Sequence, residues 1–101
     1  MRVEFLVLAT AVTTAAAKDH SRHNCCTQTY KDGRRFYDQD LTVNTCKRFY
    51  GNRADVVDGT CKQRSGINID GDDFNSHCQI EGYDYMGYTD YRIGAGYRGS
   101  C

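Results

Sequence analysis

The chain has 101 residues, 13 Lys/Arg against 13 Asp/Glu, six cysteines and eight tyrosines, and no proline or tryptophan. So short and evenly charged a sequence makes one small domain, and it lacks the net positive charge that a nucleic-acid partner requires. Its longest apolar run falls short of the ~20 residues of a membrane span.

The opening MRVEFLVLATAVTTAAAKDH reads as a secretory signal peptide over residues 1–17. Arg2 supplies the positive start, residues 5–12 the apolar centre, and Ala15-Ala16-Ala17 the small-residue cleavage site. Removing residues 1–17 from 101 leaves 84. Residues 18–24, KDHSRHN, read as a flexible, solvated arm ahead of a domain over 25–101. His20 and His23 in that arm are of a type that binds transition metals. Exported cysteines usually pair with one another, so an arm holding no metal or cofactor is the expectation.

Cys25, Cys26, Cys46, Cys61, Cys78 and Cys101 all follow residue 17 and read as a disulfide framework. Adjacent Cys25 and Cys26 rarely satisfy disulfide geometry with each other. We expect them to staple the first strand to Cys46 and Cys78 on the helices, leaving Cys61 with Cys101. Large apolar residues are few: Leu41, Val43, Val56, Val57, Ile67, Ile69, Ile80 and Ile93 with Phe36, Phe49 and Phe74. That is below the ~20% at which a chain has trouble ordering. Disulfides, each contributing about 2–5 kcal/mol, and buried tyrosine rings must make up the difference.

In TQTYKDGRRFYD, Lys31-Asp32-Gly33 is a turn signal inside a first strand over about 28–37. Arg34-Arg35 matches a dibasic processing site, but a plain solvated turn accounts for it better. DQDLTVNTCKRFYG predicts a helix over 40–50. Asp38 or Asp40 caps it, Val43, Cys46 and Tyr50 share a face, Lys47 and Arg48 suit its negative end, and Gly51 stops it. The β-branched Thr42, Val43 and Thr45 argue instead for a strand. ADVVDGTCKQ predicts a hairpin of strands 54–57 and 60–64 around Asp58-Gly59, residues suited to positive φ.

INIDGDDFNSHCQIEG places three aspartates in four positions, with His77 beyond. A helix start explains them: Asp70 at the N-cap, Asp72 and Asp73 in the first turn, and Ile69 with Phe74 as a hydrophobic staple. A calcium loop would need a different ligand order. The helix runs 70–81 and Gly82 closes it. The final YDYMGYTDYRIGAGYRGSC carries five tyrosines and four glycines and a strand over 91–98. Tyrosine with glycine is the composition of adaptable binding surfaces, which makes Tyr83, Tyr85, Tyr88, Tyr91, Arg92 and Tyr97 the candidate contact residues.

The order β-α-β-β-α-β is an α+β split βαβ sandwich: a four-stranded antiparallel sheet with two helices on one face. Residues 18–64 carry ten Lys/Arg against six Asp, and residues 65–101 two Arg against six acids. One compact domain with oppositely charged faces fits that split.

The signal peptide, the Cys-Cys pair after it and CKRFYGNRADVVDGTCKQRSGINIDGDDFNSHC resemble small secreted cysteine-rich proteins of filamentous fungi. The element order further resembles the killer-toxin-like α/β effectors of plant-pathogenic fungi. That resemblance implies an extracellular, monomeric protein, in the host apoplast or translocated into host cells, that binds a host or competitor protein or surface component. It transfers no catalytic residue. An alternative is a small secreted ribonuclease or other hydrolase, with Glu81 and His77 as acid and base and Arg92 or Arg98 on the phosphate. Glu81 and His77, four apart on the helix, would equally make a surface pair. A protease inhibitor ranks last, because no loop stands out as a rigid inhibitory strand.

Overall fold

The computed structural model describes residues 20–31 and 33–101. The signal-peptide segment, residues 18 and 19 of the arm, and Asp32 of the turn lie outside them. The elements are β1 (Arg22–Thr29), β2 (Arg35–Tyr37), α1 (Gln39–Phe49), β3 (Ala54–Val57), β4 (Thr60–Gln63), α2 (Gly71–Ile80), a π-helical turn (Glu81–Tyr85) and β5 (Tyr91–Tyr97). None of the described helices is long and apolar enough to cross a membrane.

All strand pairs are antiparallel, and β1 lies at the centre. β5 runs along one side of it over seven residue pairs. On the other side β4 pairs with Arg22 and His23, and β2 pairs with residues 26–28. β3 completes the sheet outside β4. The order β5-β1-β4-β3 is that of a split βαβ, since β4 lies between β1 and β3, which the β2–α1 segment connects. The sheet has five strands rather than the expected four. The first strand is divided: β1 ends at Thr29, and a short second arm, Arg35–Tyr37, folds back on it as β2.

The start of the chain differs from the expected arm. β1 begins at Arg22, so His23 and Asn24 are strand residues with almost no exposure. Odd-numbered residues of β1 face the helices, as strand alternation requires. Cys25 there bonds Cys78 on α2, and the Cys25 amide donates to the Thr42 hydroxyl of α1 at 2.8 Å. Even-numbered residues face away, so Cys26 meets Cys101 in the tail after β5. Cys46 on α1 bonds Cys61 on β4. The expected Cys78 link to the Cys-Cys pair is present; the links to Cys46 and between Cys61 and Cys101 are not. Two adjacent strand residues point to opposite faces, so both cannot reach the helices.

Local signals explain both helix starts. The Asp38 carboxylate accepts from the Leu41 amide and the Asp70 carboxylate from the Asp73 amide. Ile69 and Phe74 are both buried in the core. The buried face of α1 is Leu41, Thr42, Thr45 and Cys46. Its threonines fit the helix because each hydroxyl has a partner: Thr42 bonds the Asp38 carbonyl, and Thr45 lies 3.4 Å from the Cys25 sulfur. In the β3–β4 turn Asp58 and Gly59 adopt φ of 51° and 76°, the type I′ geometry expected. Gly82 does not close α2. The helix continues into the π-helical turn, and Gly82 is buried where a Cβ would strike Ile93 and touch Leu41 and Tyr88. The glycine permits close packing there and ends nothing.

Candidate functional site

The six candidate contact residues do not form one surface. Tyr91 and Tyr97 lie six residues apart on β5, roughly 20 Å at strand rise. Tyr97 is at the far end, stacked on His20 with ring centroids 4.1 Å apart and tilted against His23. Tyr83 is part of the sheet edge. Its hydroxyl donates to the Tyr91 carbonyl at 3.0 Å and accepts from the Ile93 amide at 3.2 Å. Gln79 donates to the Ile93 carbonyl and Arg35 reaches the Ala95 carbonyl. Side chains thus occupy the outer edge of β5, which blunts it against pairing with another chain.

Tyr88 and Tyr91 pack on each other at 5.1 Å and on the core. Burial and the nearby Asp38 carboxylate push the Tyr88 phenol up to about 12. Tyr83 is exposed but tied to the β5 backbone, and Tyr85 and Arg92 are the two of the six that stand at the surface in an aromatic–arginine pair. Arg92 lies over Tyr30, 5.2 Å from its ring centroid. Arg48 lies over Tyr85 at 3.7 Å. A third pair, Arg34 over Phe36, is separated by 4.9 Å. Tyr30, Phe36 and Tyr85 are 60%, 43% and 57% exposed. The most exposed aromatic rings of the described chain therefore each carry a guanidinium. Tyr30 and Tyr91 also flank a cleft of about 400 Å³ lined further by Thr29, Lys31 and Asp90.

Tyr30 and Arg48 escape sequence reasoning because their partners, Arg92 and Tyr85, lie on distant elements, whereas Arg34 and Phe36, two residues apart, read only as a turn residue and a strand residue. A weak signal exists for Tyr30, since it immediately precedes the Lys31-Asp32-Gly33 turn signal.

The acid/base group considered for a hydrolase does not assemble. His77 Nδ1 is 2.7 Å from the Tyr50 hydroxyl, which also donates to Asp73 at 2.8 Å, and Phe49 stacks on the imidazole. Tyr50 itself is wholly buried, and burial with the Asp73 charge raises its phenol above the ordinary value. Glu81 points the other way, onto Arg48 Nε at 2.5 Å. Arg92 is on Tyr30, and Arg98 occupies a left-handed turn after β5 with its amide bonded to the Arg22 carbonyl.

The two histidines of the expected arm are likewise engaged. His23 Nε2 faces the Gln63 side chain at 3.1 Å, with Phe74 and Tyr97 beside the ring. Among the described residues no three His, Cys, Asp or Glu side chains converge as a metal site would need.

Compared with known proteins, the chain matches no family model, no curated protein and no solved structure.

Proposed function

We propose that this chain is a secreted, cysteine-rich effector or toxin-like protein that acts by binding a host or competitor target rather than by catalysis. One observation carries the reading: the exposed rings of Tyr30, Phe36 and Tyr85 each hold an arginine in place. Tyrosine and arginine dominate the residues that supply binding energy at protein interfaces. A guanidinium already stacked on a ring has fewer rotamers to lose when a partner arrives, so less of the contact energy is spent on ordering. The three disulfides hold these pairs on a fixed frame. The likeness to killer-toxin-like effectors rests on element order and is an analogy of fold.

The test is capture of a partner from host extracellular fluid or competitor-cell extract by the oxidised protein. Tyr30→Ala with Arg92→Ala is expected to abolish capture and leave the near-UV circular dichroism unchanged. The wild-type protein is expected to leave RNA intact in a degradation assay. Undiminished capture by the double variant, or RNA cleavage lost on His77→Ala, sinks the reading.

A further inference from the structure

The Arg48–Glu81 pair forms part of the wall of an open groove between α1 and the π-helical turn. Asn44, Lys47, Arg48, Glu81, Tyr85 and Met86 line the groove, which encloses about 410 Å³. Glu81 is only 2% exposed, and a carboxylate buried to that extent is costly unless it is paired. The one hydrogen-bonding partner of the Glu81 carboxylate among the described residues is Arg48 Nε. Tyr85 supports the face of the same guanidinium. One contact along an edge and one across the face fix both its position and its plane.

Arg48 differs in this from Arg64. Arg64 commits Nε and Nη2 to Asp55 and Nη1 to the Asn52 carbonyl. Arg48 commits only Nε, and its side chain is 45% exposed. Neither of its terminal amino groups makes a hydrogen bond among the described residues. A planar guanidinium held in this way presents two parallel donors, the arrangement that matches an oxyanion.

We infer that Arg48 is a receptor for a carboxylate on an acidic peptide segment, with Tyr85 as the wall beside it and Lys47 as the second cation. Local charge favours a monoanion: Lys47 and Arg48 set against Glu81 leave a single positive charge in the groove, which suits a carboxylate better than a doubly charged phosphate. Asn44 favours a peptide. Its amide nitrogen rests on the Met86 sulfur at 3.4 Å, which leaves its oxygen to accept a backbone N–H next to the bound side chain. The inference shares the premise that the chain acts by binding, but its residues are separate from Tyr30 and Arg92 and its test needs no natural partner.

The test is a nuclear magnetic resonance titration of the oxidised full chain with a blocked Gly-Glu-Gly-Glu-Gly peptide. The matched Gln peptide, oligogalacturonate and inorganic sulfate are titrated in parallel. The Glu peptide is expected to saturate while shifting the Arg48 Nε–Hε and Asn44 side-chain signals, with the Gln peptide about tenfold weaker, as loss of one charge-assisted fork implies. Arg48→Lys keeps the ion pair with Glu81 but removes the fork, and is expected to weaken the Glu peptide about tenfold. Lys47→Gln, at an exposed position that leaves the fold intact, is expected to weaken it about twofold. Equal affinity in Arg48→Lys, tighter binding of sulfate or oligogalacturonate than of the Glu peptide, or shifts spread evenly over all arginines would each overturn the inference. Undiminished partner capture by the Tyr30→Ala, Arg92→Ala variant with this titration intact would remove the reading based on Tyr30 and leave the Arg48 site standing.

Discussion

His23, Asn24 and Thr27 on β1 are buried, whereas the larger and more apolar Tyr30, Ile80, Tyr83 and Tyr85 stand at the surface. Neighbours, rather than polarity, decide the difference. β1 has strands on both sides, helices over one face and the tail after β5 over the other, so whatever side chain it carries there is enclosed. The enclosed polar groups are all bonded. The Asn24 amide donates to the Ser100 carbonyl and its oxygen accepts from the Gly99 amide at 2.7 Å, while Thr27 meets the Asp38 carboxylate. The segment 83–92, by contrast, runs along an edge strand and a turn with solvent on one side. In a chain this poor in aliphatics, topology assigns the interior and cross-links hold it together.

The sharpest way to break the contrast is to remove the staple on the helix side of β1. Cys25→Ala with Cys78→Ala is expected to cost about 2–5 kcal/mol in chemical denaturation. The loop it closes spans 53 residues against 15 for Cys46–Cys61. Loop-closure entropy therefore makes it the more damaging loss by about 1 kcal/mol. Equal losses for the two pairs would mean that native packing, not chain restriction, sets their contribution.

On the opposite face, Asn24→Ala is expected to destabilise by about 1–3 kcal/mol, since the Gly99 amide loses its acceptor. Hydrogen exchange is the check: Gly99 should lose its protection, and retained protection would show that the tail is anchored by the disulfide alone.

A third effect is a dependence on pH. Desolvation lowers the His23 pKa below its ordinary 6.5. The nearby His20 lowers it further, and the Gln63 hydrogen bond and Asp70 charge oppose. Folded protein then binds fewer protons at this site than unfolded protein does. The stability is fully present above pH 6.5 and is lost as pH falls from there through the depressed folded value. The melting temperature should drop across that window, and His23→Phe should remove the part due to this ring. A His23 imidazole seen to titrate at or above 6.5 would contradict the burial argument.

The smallest expected effect lies at the surface. Tyr30→Ala with Arg92→Ala should change stability by no more than about 1 kcal/mol, the range of an exposed cation–π pair, even as it abolishes partner capture. A larger loss would make that pair part of the scaffold.

What was legible in the sequence is what short-range chemistry determines. The caps at Asp38 and Asp70, the Asp58-Gly59 hairpin and the staple of Ile69 with Phe74 each need only a few neighbouring residues. From them the order of major elements and the split βαβ follow. The burial of His23 and Asn24 was not legible, because it depends on partners 40 to 76 positions away. Two of the three disulfides escaped for a related reason: the facing of Cys25 and Cys26 follows from a strand start at Arg22 that the charged KDHSRHN segment conceals. The aromatic–arginine pairs at Tyr85 and Tyr30 join residues far apart in the chain, so composition pointed to the tyrosines but not to the cations that hold them.

The central place of β1 also constrains how the molecule comes together. The strand precedes every other described element, yet its long partner β5 follows all of them. Contacts this distant in sequence pay their closure entropy before any reward arrives, which slows acquisition of the native shape. The middle of the chain, with α1, β3 and β4 spanned by the nearby Cys46–Cys61 bond, has no such delay. Oxidative refolding should therefore begin in the middle. Until the centre strand is captured, the thiols of Cys25 and Cys26 stay open to exchange with the wrong sulfurs, so slow oxidation with an isomerase present should raise the yield of correctly bridged protein.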